Sequence, residues 1–139
     1  MTEEQSKHLL APLSDTQFGY VESVRYVQED AGGRLEVLLE MGGSLVARGF
    51  AFEKVRASRF RAESHCDAWL VQGAYCALVE VVHSRWVEEL RVAERGYNGS
   101  IGRVMKHFLI YVEDHGAYEV VAAAAERLAV DPPKPGLSP

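Results

Sequence analysis

The sequence predicts an α+β domain: a curved antiparallel sheet of six or seven strands with one main helix packed on one face. Three observations carry that expectation. Strand-like segments rich in β-branched and aromatic residues recur through residues 20–63 and again through 75–121. The breaks between them are short clusters of Gly, Asp and Glu, of the kind that close hairpins. A single stretch, residues 85–95, carries apolar residues at helical spacing behind a capping serine.

Taken in order, residues 1–17 show no sustained periodicity and are broken by Pro12, so they read as a flexible N-terminal arm. Tyr20–Gln28 is a strand, and Glu29-Asp30-Ala31-Gly32-Gly33 a turn. Arg34–Met41 alternates, placing Leu35, Val37, Leu39 and Met41 on one face. Gly42-Gly43 supplies the positive φ angles of a tight hairpin, and Ser44–Phe52 returns. Val55–Glu63 is a more polar fourth strand. Tyr75–Val82 is apolar on both alternating sets, as a strand buried on both faces must be. Ser84 caps the helix Arg85–Arg95, whose Trp86, Leu90 and Ala93 share a face, and Gly96 stops it. Val104–Val112 and Tyr118–Val121 are strands joined by the turn Glu113-Asp114-His115-Gly116. Residues 122–130 either extend that last strand or form a short final helix, and their alanines favour the helix. The tail 131–139 carries four prolines and reads as disordered, leaving 18–130 as a single domain.

At 139 residues, 47% hydrophobic and 25% charged, the chain is long enough for one core and too apolar for disorder. The net charge of −5 argues against nucleic acid as a partner, since phosphate binding needs a surplus of Lys and Arg. No stretch of 18 apolar residues exists, so no membrane partner is expected. The start is polar and acidic, unlike a secretory signal, and two cysteines suit buried thiols in a reducing compartment. A cytoplasmic location follows as the expectation. Eleven Arg against four Lys, with abundant Ala, Val and Gly, suit a GC-rich bacterial genome.

The run Arg59–Cys66, the strand Ala74–Val81, the pattern Ser84-x-Trp86-Val87-x-Glu89 and the segment His107–Tyr111 together resemble small bacterial proteins of unknown function. Their layout is strand-strand-helix-strand-strand, and the likeness spans residues 55–121. It implies a fold, and it brings no activity and no site residue.

One polar line stands out as a candidate site. Arg59, Arg61, Glu63 and His65, at alternate positions, would share one face of the fourth strand, with Cys66 just beyond it. A histidine beside a thiol and near carboxylates has the makings of a nucleophile or half a metal site. The competing reading is a solvated strand face with Arg–Glu pairing. His107 sits among Met105, Leu109 and Tyr111 and reads as a hydrogen-bonded core or rim histidine, or as a partner to His65. No CxxC, HxxxH or HExxH spacing is present, so no cofactor is expected. The glycine-rich loop 96–102 follows a helix and leads to a strand, the reverse of a phosphate cradle. Lys54, Arg56, Arg59 and Arg61, beside Phe52 and Phe60, form a basic cluster that strand alternation splits between two faces.

Two functions follow as expectations, with the question of catalysis left open. The first is a protein-binding or self-associating module, including a homodimer that would cover the sheet. The second is a small-molecule or metal site, catalytic or not, in the concavity near His65 and His107.

Overall fold

The computed structural model describes residues 4–15, 18–94 and 104–130. They form nine strands in two antiparallel sheets. The strands are β1 (Ser6–Pro12), β2 (Tyr20–Glu29), β3 (Gly32–Met41), β4 (Ser44–Glu53), β5 (Ala57–Ala62), β6 (Ala77–Val82), β7 (Lys106–Val112), β8 (Gly116–Ala122) and β9 (Ala124–Val130). A 3₁₀ turn, Glu63–His65, leads to the one-turn helix α1 (Ala68–Val71), and the main helix is α2 (Arg85–Glu94). The strand order is β1-β6-β7-β8-β5 in the larger sheet and β2-β3-β4-β9 in the smaller.

The alternation along β3 sets the core. Leu35, Val37 and Leu39 are buried, and with Phe50 and Phe52 of β4 they face Leu78, Phe108, Ile110, Val112 and Val120 of the larger sheet. Gly42 and Gly43, at φ 58° and 85°, close the β3–β4 hairpin as their lack of a Cβ allows. The larger sheet is covered on its other face too. Leu70 and Ala74 pack on Val79, Val81, Leu109 and Ala117, while Val87, with Trp86 and Leu90, packs on Met105 and Val121.

Three expectations change. The single curved sheet of six or seven strands is two sheets of nine, because the chain breaks between β4 and β5 at Lys54, where φ is 55°. The break is tied by Arg56 N–H to Val121 O at 2.7 Å and Ala123 N–H to Glu53 O at 2.9 Å, so the two sheets join at this corner. Residues 124–130 are a strand, because β9 pairs with β4 from Ala47↔Val130 to Glu53↔Ala124, and that ladder outweighs the helix propensity of alanine. Most of the expected arm is also a strand: β1 pairs with β6 from Ser6↔Val82 to Pro12↔Ala77, with a bulge between Leu9 and Ala11. Its proline is the terminal residue of an edge strand, where a missing donor is tolerated. The glycine-rich loop 96–102 and the tail 131–139 lie outside the described residues.

Candidate functional site

The outer face of the larger sheet carries a row of polar side chains between the two helices. Strand pairing builds it: β7 brings His107 to this face, β8 brings Glu119, and β5 sets Arg59 directly opposite Glu119. Ser84, at the turn from β6 into α2, completes the row. Ser84 Oγ lies 2.7 Å from His107 Nδ1, and His107 Nε2 lies 2.7 Å from Glu119 Oε1. The Arg59 guanidinium grips Glu119 with both Nε (2.8 Å) and Nη2 (3.1 Å).

Only 2% of His107 and 2% of Glu119 is exposed, so neither could remain polar without partners. Ser84 Oγ accepts the Val87 N–H at 3.1 Å, the cap expected from sequence, and has its own hydrogen to donate to His107 Nδ1. Nε2–H then donates to Glu119, and every partner is satisfied. Burial pushes the Glu119 carboxyl pKa up. The hydrogen bonds from His107 and Arg59, with the Arg59 charge, outweigh that and hold it down at about 2.

Ser84, His107 and Glu119 have the residue types of a hydrolytic triad, but their arrangement serves a different end. Ser84 is buried, caps α2, and lies behind the histidine rather than on the open side. What opens to the outside is a cleft of about 220 Å³ with His107 and Glu119 in its floor. Trp69 and Trp86 stand beside it, and Arg59, Arg61, Arg85, Asp67 and Glu89 bring charge to it. Trp86 meets His107 edge-on at 5.2 Å, and the Arg59 guanidinium lies 3.9 Å above the Trp86 ring. Trp86 therefore touches the row at two points, His107 and Arg59.

The charged side chains are not equivalent. Glu119 is buried under Arg59 and His107, and Asp67 accepts the Leu70 N–H at 3.0 Å as the cap of α1. Neither the Arg61 nor the Arg85 side chain forms an ion pair among the described residues. Glu89 is the remaining acid. The Arg85 backbone N–H is already satisfied by Gln5 Oε1 at 2.8 Å.

The candidate line from the sequence is therefore divided. Arg59, Arg61 and His107 meet at the cleft. Strand β5 ends at Ala62, so Glu63 and His65 lie in the 3₁₀ turn and do not continue the face of Arg59 and Arg61. Glu63 accepts the Tyr111 hydroxyl at 3.1 Å, and burial, with this bond and the Glu63 charge, raises the tyrosine's pKa to about 12. The Cys66 thiol contacts the Arg61 and Ala62 carbonyls at 3.4 and 3.5 Å, and His65 is exposed. The partner of His107 is Glu119, not His65. Among the described residues no three His, Cys, Asp or Glu side chains converge as a metal site would require. Sequence reasoning missed Glu119 and Trp86. The available signal was a lone glutamate alternating with Ala117 and Val121 on a strand otherwise apolar.

Compared with known protein families, curated proteins and solved structures, the chain shows no match. Among the described residues no helix is long and apolar enough to cross a membrane.

Proposed function

We propose that the protein is a binding domain, and that the cleft on the outer face of its larger sheet recognises a small organic anion, such as a carboxylate with an apolar or aromatic body. The observation that carries this reading is the pair Arg61 and Arg85, unpaired among the described residues, at a cleft flanked by Trp69 and Trp86. An arginine fork matches the two oxygens of a carboxylate, and an indole face accepts the flat body attached to it. The buried row beneath supplies rigidity: Arg59 is held by Glu119 and Trp86, so the floor needs no reordering when a ligand enters. Binding rather than catalysis is favoured because the only hydroxyl in the row is covered and engaged as a helix cap.

Both tryptophans of the chain stand at this cleft, so intrinsic fluorescence reports on it directly. Titration with benzoate is expected to change the emission saturably, with benzamide, its neutral counterpart, at least about tenfold weaker. The Arg61→Glu variant should lose the benzoate response while keeping the wild-type fold by circular dichroism. A response equal for benzoate and benzamide, or unchanged in Arg61→Glu, would contradict anion recognition here.

A further inference from the structure

Strand β5 is one of the two edges of the larger sheet among the described residues, and its two faces differ sharply. Arg59 and Arg61 point to the outer cleft. Phe60 points to the inner side, where its ring lies 4.7 Å from Tyr118 and half of it remains exposed. A second cavity of about 230 Å³ opens there, lined by Tyr26, Ser58, Phe60, Tyr118 and Val120. The two cavities therefore flank one edge strand.

The backbone of β5 is positioned to extend the sheet. Its register with β8 is unbroken from Ala57↔Val121 to Ala62↔Gly116, and the ladder continues through Glu63 N–H to His115 O at 3.1 Å. That bond sets the phase: the odd-numbered residues face β8, so Ser58, Phe60 and Ala62 turn their N–H and C=O groups outward. The Ala62 carbonyl receives the Cys66 thiol, which leaves Ser58 and Phe60 as the principal free pair. Edges β1 and β2 are each interrupted by a bulge, between Leu9 and Ala11 and between Val21 and Ser23, a device that discourages strand addition. Edge β9 is unbroken as β5 is, and β5 is distinguished from it by the two cavities at its sides.

We infer that β5 is the docking edge for an extended peptide in which acidic side chains alternate with apolar ones, the acids entering the Arg59–Arg61 cleft and the apolar residues covering Phe60 and Tyr118. The inference rests on the anion-recognition reading above and names the carrier of the anion. Strand addition satisfies the outward backbone groups, and the period-two alternation of a strand matches the two unlike faces. Charge selects the occupant. A second copy docking β5 against β5 would bring Arg61 beside its own counterpart, whereas an acidic strand neutralises it; Arg59 is already matched by Glu119.

The test uses the full chain and a fluorescein-labelled synthetic peptide alternating glutamate with valine, followed by anisotropy, with the benzoate titration run alongside. The peptide is expected to bind at least about tenfold more tightly than its lysine-for-glutamate counterpart. Ser58→Pro removes one outward donor, a change an edge strand tolerates, and should weaken the peptide about tenfold while leaving the benzoate response intact. If Ser58→Pro does not fold, Phe60→Ala replaces it, with the same expected split between peptide and benzoate. Benzoate binding without peptide binding, or peptide binding indifferent to these variants or to glutamate, overturns the edge assignment and leaves the cleft reading standing. Loss of both ligands in the wild-type protein overturns the two together.

Discussion

The two faces of the larger sheet are both covered, yet only the outer one sets a polar row between its apolar clusters. The inner face of β7 presents Phe108, Ile110 and Val112 to an apolar core, and the outer face presents His107 within a row of hydrogen bonds. The inner face is non-directional and derives its stability from area removed from water. The row on the outer face is directional: specific hydrogen bonds join Ser84, His107, Glu119 and Arg59. The contrast teaches where to look for function in this chain, because a buried carboxylate opposes burial and is retained only with Arg59 and His107 in place.

Variants that separate the faces should separate stability from recognition. Phe108→Ala, which empties the space facing Phe52, is expected to cost about 4 kcal/mol in urea unfolding and to leave the benzoate affinity of the folded protein unchanged. Glu119→Ala leaves His107 Nε2–H without its acceptor and frees Arg59; about 3 kcal/mol of destabilisation is expected, together with altered benzoate affinity. A change of affinity in Phe108→Ala as large as that in Glu119→Ala would erase the distinction.

Acid sharpens the comparison further. Glu119 ionises at about 2 in the folded protein against an ordinary 4.5, so on acidification the unfolded chain takes up its proton first. Its contribution is complete above pH 4.5 and is lost as pH falls toward 2, a loss of roughly 3 kcal/mol on integration. Unfolding curves of wild type and Glu119→Gln over this window should converge as pH falls. Parallel curves would mean that the carboxylate is not held by its partners. The smallest effect belongs to His65, exposed in the 3₁₀ turn: His65→Ala should change stability by less than about 0.5 kcal/mol and leave benzoate binding untouched.

Much of the fold could be read locally. The alternation of Leu35, Val37 and Leu39, the Gly42-Gly43 hairpin and the Ser84 cap depend on neighbours in sequence, and each stands where periodicity and turn chemistry put it. The strand 124–130 could not be read in this way, since its alanines have no β preference and are held by pairing with β4. The site was half legible for the same reason. Arg59, Arg61 and His107 were marked by residue type and pattern, but Glu119 pairs with Arg59 across 60 residues of chain, and only the adjacency of β5 and β8 joins them. Extending the β5 alternation to His65 failed because the strand ends at Ala62.

The proposed recognition of an anion between Trp69 and Trp86 is tested most directly by where a ligand lands. A ¹⁵N–¹H NMR titration of the full chain with benzoate follows both indole N–H signals and the arginine side chains. The account predicts that both indole signals and those of Arg61 and Arg85 move together, with the inner-face amides of β3 and β4 unmoved. Shifts confined to the inter-sheet core or to residues remote from the cleft, or indoles that stay fixed through the titration, would contradict it.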